Sequence, residues 1–96
     1  MDQSELIKLI EMWQRADPSI YKANIKVICH SKGIKPKQIE EYLNVTYNSA
    51  RSYTNSSHTA RIEILTALKL AELLGVRIEK FLEENTIIDI VNIYYK

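Results

Sequence analysis

A run of hydrogen-bonding side chains near the middle of the sequence is the feature best suited to recognition chemistry. Its six members are Thr46, Tyr47, Asn48, Arg51, Ser52 and Asn55. Arginine can donate two hydrogen bonds to the O6 and N7 atoms of guanine, and asparagine can pair with the N6 and N7 atoms of adenine. A threonine methyl group or a tyrosine ring can lie against the methyl group of thymine. This run therefore predicts the reading of DNA bases, because a helical face that meets only water more often carries glutamate and lysine.

A second set of polar and basic side chains flanks this run and could bind phosphate oxygens. Its members are Lys32, Lys35, Lys37, Gln38, His58 and Arg61. Residues 22–61 carry a net charge of +5, whereas residues 1–21 and 62–96 each carry −2, and the whole chain carries only +1. Because counterion release depends on the charges at the contact, a locally basic segment is sufficient for phosphate binding. A lysine-rich surface that faces only solvent remains an open alternative.

Two short helices are predicted to position these side chains. Lys35-Pro36 begins the first helix, which breaks at Asn44, a residue type that tolerates positive φ. Thr46 caps the second helix, which is expected to continue through about Thr54. The side chains predicted to face inward are Ile39, Tyr42, Leu43, Ala50 and Tyr53. Two short helices joined by a tight turn predict a helix-turn-helix over residues 36–55, the unit that proteins place against the major groove.

The segment before this unit predicts two further helices. Asp2 and Glu5 begin a helix that ends before Asp17-Pro18, where an aspartate cap and a proline at the first helical position open the next one. Gly33 ends the second helix. The inward side chains are expected to be Leu6, Leu9, Ile10 and Trp13 in the first helix and Tyr21, Ile25, Ile28 and Cys29 in the second.

The segment after the unit predicts a longer helix. Thr59 is expected to cap it and Gly75 to end it. Its inward residues would be Ile62, Leu65, Leu68 and Ala71. A final helical turn over residues 78–83 would bring Phe81 and Leu82 into the core.

Two parts of this pattern resemble the lambda-repressor/Cro-like, or XRE, helix-turn-helix family. The first comprises Gly33-Ile34, Ile39, Leu43-Asn44-Val45, Ala50 and Tyr53, and the second is the run Leu70-Ala71-Glu72-Leu73-Leu74-Gly75-Val76 followed by Ile78, Phe81 and Leu82. The resemblance covers residues 25–83. It implies a mainly α fold, a bundle of five to six helices, and a transcription regulator, a repressor in the typical case, of bacterial, phage or plasmid origin. Such a protein reads DNA with helix 46–54.

Four features depart from that family pattern, of which the first is a pair of residues. Glu40 stands where the family usually has a small residue, and Ala50, opposite it, stands where the family has a bulky one. The two volumes are therefore expected to be exchanged, with the Glu40 carboxylate reaching solvent or Arg51. Asn44 replaces a glycine in the turn. Pro36 replaces a glutamine, so phosphate contacts there fall to its neighbours, and the loop that carries His58 is about two residues longer.

The C-terminal tail, residues 86–95, is rich in β-branched residues, which favours a strand. A single strand leaves its backbone groups unpaired, so a second copy of the chain is predicted to supply the partner strand, as in Cro-like proteins. The dimer contacts would be made by Ile88, Ile90, Val91, Ile93 and Tyr94. Such a homodimer would require a palindromic operator in double-stranded DNA. A helical tail packed on Leu6, Leu9 and Trp13 of its own chain remains the alternative.

The chain is expected to form one domain, with an N-terminal helix over residues 1–16, a helical core over 18–84 and the dimerisation tail over 86–95.

Several classes of function find little support in the sequence. No signal peptide or membrane span is visible, so the expected compartment is the cytoplasm and no membrane partner is expected. Cys29 and His30 are adjacent on a helix and point about 100° apart, and His58 is distant. We therefore expect no enzyme activity, metal, cofactor or small-molecule substrate.

A protein-interaction module remains the competing function. An anti-repressor, an antitoxin or a phage inhibitor of a host protein could keep the same fold and use the same face against a protein. Glu40 and Glu41 beside the predicted DNA face, and the low net charge, favour this alternative.

Overall fold

The computed structural model of the chain describes residues 2–83 and forms helices over most of that range. The described elements are α1 (Gln3–Arg15), α2 (Pro18–Lys32), α3 (Pro36–Leu43), α4 (Tyr47–Ser52), α5 (Ile64–Leu74) and a 3₁₀ helix (Ile78–Phe81). The prediction of a mainly helical small bundle is confirmed for this part of the chain. The predicted strand and dimer contacts at residues 86–95 lie outside the described residues.

Capping side chains set most of the helix ends. Asp2 accepts a hydrogen bond from the Glu5 backbone N–H at 2.8 Å, and Asp17 accepts one from the Ser19 N–H at 2.9 Å. This bond also holds the pKa of the Asp17 carboxyl below its usual value, because it stabilises the ionised form. Each bond satisfies a backbone donor that the first turn of a helix leaves free. The predicted starts of α1 and α2 are therefore confirmed.

The two tight stops before and after α3 adopt the left-handed conformation. Gly33 ends α2 at φ 68°, and Asn44 ends α3 at φ 55°. A side chain with a Cβ is disfavoured in this region, and asparagine is among the residue types that enter it most readily. The predicted break at Asn44 is confirmed, and it leaves only residues 44–46 between α3 and α4.

The core is built around α2, which packs against α5 and the 3₁₀ helix. Its buried apolar side chains Tyr21, Ile25, Ile28 and Cys29 are those that the sequence predicts. α1 joins this core through Leu9 and Trp13. The Trp13 ring stacks on the Tyr21 ring with 4.1 Å between centroids and lies 6.4 Å from the centroid of Phe81. Leu6, predicted to face inward, is instead exposed.

The prediction that Thr59 caps the long helix is wrong, because α5 begins only at Ile64. Ile62 is buried as predicted, but in an extended segment whose backbone bonds to aromatic side chains. The Ile62 N–H donates to the Tyr21 hydroxyl at 2.9 Å, and the Ile62 carbonyl accepts from Trp13 Nε1 at 2.7 Å. These two bonds replace the helical bonds of Ile62 and delay the start of the helix by several residues.

The later start changes which face of α5 is buried. Leu65, predicted to face inward, is 69% exposed, and the buried residues are Ala67, Leu70, Ala71 and Leu74. Leu68 is half-buried, and Gly75 ends the helix as predicted, at φ 68°. The final helical turn predicted over residues 78–83 is the shorter 3₁₀ helix, in which Phe81 is fully buried.

Two predictions about α3 and α4 also need correction. Tyr42, predicted to face inward, is 48% exposed at the edge of α3, where partial desolvation and the Glu72 carboxylate of α5 raise the pKa of its phenol. α4 ends at Ser52 and not near Thr54. The Ser52 hydroxyl bonds back to the Ser49 carbonyl at 2.6 Å, and side-chain bonds of this kind compete with the helical pattern.

Across residues 2–83, no helix combines the length and the apolar character needed to cross a lipid bilayer.

Candidate nucleic-acid interface

α3 and α4 pack against each other around buried Ile39, Leu43 and Ala50. Ala50 is fully buried, so the side of α4 opposite to it faces away from the bundle. Glu40, expected to lie over Ala50, is half-buried. Among residues 2–83, the charge pairs join Arg77 to Glu79 and Lys80 to Glu83, so the Glu40 carboxylate does not pair with Arg51. The tight connection between the helices leaves α4 on the outside of the bundle.

The outward side of α4 carries the predicted base-reading residues. Tyr47, Asn48 and Arg51 are all exposed. The Arg51 guanidinium carbon lies 6.0 Å from the centroid of the Tyr47 ring, near the outer limit of a cation–π contact. The amide of Asn48 and the guanidinium of Arg51 have no hydrogen-bond partner within the described part of the chain. Both groups can therefore donate to an external acceptor.

The other three predicted base-reading residues take part in local hydrogen bonds. The Thr46 hydroxyl caps α4 by accepting from the Ser49 backbone N–H at 3.1 Å, and it donates to the Ser49 hydroxyl at 2.9 Å. The Asn55 carboxamide oxygen accepts from the Ser57 N–H at 3.1 Å. With the bond from Ser52 to the Ser49 carbonyl, these contacts give the three side chains a structural role in holding α4 and the loop that follows.

The start of α3 presents the predicted phosphate-binding group. Lys32, Lys35, Lys37 and Gln38 are all exposed. The Gln38 side-chain oxygen accepts from the Lys35 backbone N–H at 2.8 Å, which is half of a capping box. Since the oxygen is used, the NH₂ group of Gln38 remains as a donor. Three ammonium groups and one amide donor thus lie near one end of α3.

A polar cleft lies between α2, α4 and the loop that follows α4. Its lining includes Lys26, Asn48, Arg51, Asn55 and His58, and none of the described residues that line it is acidic. Two permanent positive charges and several neutral hydrogen-bond donors therefore surround one opening. An anion such as a phosphodiester group is the ligand that this chemistry favours.

Arg61, predicted to bind phosphate, is engaged elsewhere. One of its guanidinium nitrogens donates to the Ala16 carbonyl at 2.9 Å and to the Trp13 carbonyl at 3.3 Å. A cation at the C-terminus of a helix stabilises the free carbonyl groups there. Arg61 therefore ties the segment before α5 to the end of α1 and is not part of the proposed phosphate-binding set.

Two lysines of α2 that the sequence did not single out lie at the cleft and behind it. Lys26 lines it directly, and Lys22, one helical turn earlier, is buried behind it and bonds to His58. Their spacing of four residues places them on one side of a helix, which could have indicated Lys26. Nothing in the sequence indicates a buried Lys22, because lysine is almost never fully buried.

The cysteine and histidine side chains considered for catalysis or metal binding lie in different environments. Cys29 is buried and His30 is exposed. Burial raises the pKa of the Cys29 thiol to about 11, so the thiol stays protonated and unreactive at neutral pH. Within residues 2–83, no three His, Cys, Asp or Glu side chains come together in a way that could hold a metal ion.

No family model, no curated protein and no solved structure matches the chain. Its resemblance to lambda-repressor/Cro-like proteins therefore rests on the residues quoted above.

Proposed function

We propose that the chain is a sequence-specific DNA-binding regulator of transcription in which α3 and α4 form a helix-turn-helix. α4 enters the major groove, where Asn48 and Arg51 read base edges. Lys35, Lys37 and Gln38 hold backbone phosphates on one side of it. The observation that carries the proposal is the exposed, unpaired pair Asn48 and Arg51 at the edge of a basic cleft. The further assignment as a bacterial, phage or plasmid repressor follows the family resemblance.

An electrophoretic shift with random genomic fragments at two salt concentrations tests DNA binding. We expect retarded complexes at the lower salt concentration and a steep loss at the higher one, because phosphate contacts release counterions. Absence of any complex at the lower salt concentration would contradict the proposal. Fragments that survive competition would then be sequenced to define the preferred site.

Replacing Arg51 with alanine should weaken binding to that site by about 1–3 kcal/mol and relax the preference at one base position. Lys37→Ala is the matched control, since it removes one charge from the neighbouring helix. It should weaken binding to all sequences alike and reduce the salt slope by about one unit. Fluorescence anisotropy with a panel of single-base variants measures both. The assignment of α4 as the reading helix fails if Arg51→Ala leaves affinity and base preference unchanged.

A protein-interaction module is the second candidate function. Glu41 is exposed on α3, and a group of large apolar side chains is exposed on α1 and the start of α2: Leu6, Ile7, Met12 and Ile20. Exposed apolar groups of this kind often mark a protein contact. This reading predicts no complex with DNA in the shift experiment, and loss of partner binding when Met12 or Ile20 is changed to lysine.

We further propose that the tail, residues 86–95, pairs two copies of the chain and sets their α4 helices roughly 34 Å apart, one turn of DNA. The support is the β-branched composition of the tail. Sedimentation of the full chain should give a dimer, and a chain ending at Glu84 should give a monomer that binds a palindromic site more weakly. A shortened chain that stays dimeric and equally tight on DNA would rule out pairing through the tail.

A further inference from the structure

Lys22 is the most deeply buried charged side chain in the described part of the protein. It is 1% exposed in the first half of α2, beside the core residues Tyr21 and Ile25. Within residues 2–83 no carboxylate forms an ion pair with Lys22, and the hydrogen-bond partners of its ammonium group all belong to His58. Burying an ammonium group costs several kcal/mol unless hydrogen bonds replace its water. The contacts with His58 therefore replace the lost hydration of this ammonium group.

Those contacts tie α2 to a loop 36 residues later in the chain. The Lys22 ammonium donates to the His58 backbone carbonyl at 2.8 Å and lies 3.4 Å from Nδ1 of the His58 ring. The loop itself is held only by short turns, such as the bond from the His58 N–H to the Asn55 carbonyl at 3.0 Å. Every residue from 55 to 60 is exposed. Lys22 is thus the anchor that joins this loop to the core.

The same contact restricts the chemistry of the His58 ring. An ammonium group has donors and no acceptor, so the Nδ1 atom 3.4 Å away can take part in a hydrogen bond only as the acceptor. A hydrogen bond across this contact requires the tautomer that carries its proton on Nε2. Because His58 lines the cleft, this tautomer leaves an N–H donor on a residue beside Lys26 and Arg51.

We propose that Lys22 is a positioning residue for DNA binding: its buried ammonium holds the loop of residues 55–58 and fixes His58 as an Nε2–H donor in the cleft. The proposal rests on the proposed function of the cleft. The loop and the ring are set before DNA arrives, so a phosphate meets donors that no longer have to be ordered. Burial also lowers the pKa of Lys22, which is the direction expected for an ammonium group without a charged partner.

Lys22→Met tests the proposal in the full chain, because methionine fills similar space without an ammonium group. Lys26→Met is the matched control: the same residue type changes on the same helix, at an exposed position in the same cleft. ¹⁵N NMR of the imidazole nitrogens should show an unprotonated Nδ1 and a protonated Nε2 in the unaltered chain and in Lys26→Met. In Lys22→Met the tautomers should redistribute.

DNA affinity separates positioning from direct contact. Lys22→Met should lose roughly tenfold in affinity, the worth of one or two hydrogen bonds, with an unchanged salt slope because no phosphate contact by a charge is removed. Lys26→Met should reduce the slope by about one unit. His58→Ala keeps the Lys22 bond to the backbone carbonyl, so adding Lys22→Met to it should cost less affinity than Lys22→Met costs in the unaltered chain, because only the loop contribution is left to lose.

The possible results separate the failure of the anchor from the failure of DNA binding. A His58 ring protonated on Nδ1, or a tautomer unaffected by Lys22→Met, overturns the anchor whatever the DNA result. If the tautomer shifts but Lys22→Met binds DNA as tightly as the unaltered chain, the positioning role is wrong. If the unaltered chain binds no DNA, both the proposed function and the positioning role are wrong. The NMR result then still tests whether Lys22 anchors the loop. Thermal unfolding by circular dichroism establishes that each variant is folded.

Discussion

Replacing Trp13 with alanine should lower the free energy of unfolding by about 3–5 kcal/mol, the loss typical of a large buried aromatic side chain. Trp13 is nearly fully buried, stacks on Tyr21, and donates to the Ile62 carbonyl through Nε1. The change removes the ring, leaves a cavity, and leaves that buried carbonyl without its partner. Urea denaturation followed by circular dichroism measures the loss.

Two control variants divide this effect into its parts. Trp13→Phe keeps an aromatic ring but removes the N–H donor, so it should cost about 1–3 kcal/mol. Leu65→Ala removes an apolar side chain that is 69% exposed on α5 and should change stability by less than about 0.5 kcal/mol. If Trp13→Ala costs no more than Leu65→Ala, α1 is not held to the core in the way described. Hydrogen exchange in α1 should accelerate in Trp13→Ala, since Trp13 is one of the two buried side chains of this helix.

Changing Asn24 to aspartate should also cost about 3–5 kcal/mol at neutral pH, the range for leaving a buried charge uncompensated. Asn24 is 3% exposed, and its side-chain NH₂ group donates to the Phe81 carbonyl at 2.6 Å and to the Glu83 carbonyl at 3.0 Å. Aspartate has nearly the same shape but presents a carboxylate oxygen to two carbonyl oxygens. Thermal and urea unfolding at neutral pH measure the loss.

The pH dependence distinguishes this mechanism from a simple loss of packing. Burial and the facing carbonyl groups raise the folded-state pKa of the introduced carboxyl above its unfolded value of about 3.9. The Asn24→Asp variant therefore keeps its full stability below about pH 3.9, where its carboxyl is neutral in both the folded and the unfolded state. It loses stability as the pH rises through the higher folded-state pKa. Asn24→Ala, which should cost about 1–3 kcal/mol, has no such titration. A deficit of Asn24→Asp relative to Asn24→Ala that stays constant between pH 4 and 7 would contradict the account.

The ends of the first four helices could be predicted from the sequence because they depend on neighbours in the chain. Asp17-Pro18 opens α2 and Thr46 caps α4 through bonds that span two or three residues. Gly33 and Asn44 stop helices through a backbone conformation that few other residue types accept. The exception is the last turn of α4, where hydroxyl groups of the helix itself compete for its carbonyls.

The composition of the candidate interface was partly predictable for the same reason. Helical periodicity placed Ala50 inward and Asn48 and Arg51 outward, and the structure agrees. The roles of Lys22 and Arg61 were not predictable. Each contacts backbone atoms at least 36 residues away, and no local pattern distinguishes these two from the other basic residues.

The sequence by itself determined the helices up to α4, the stop at Gly75, the apolar inward side of α2, and the polar outer side of α4. These features follow from side-chain periodicity and capping, which act within one or two turns of helix. Only the tertiary structure decided where α5 begins, which of its faces is buried, and how the loop before it is held. The physical reason is that Trp13 and Tyr21 take up the backbone groups of Ile62, and Lys22 takes up the carbonyl of His58. Such bonds depend on how segments distant in the sequence pack together, and they override a local helical pattern.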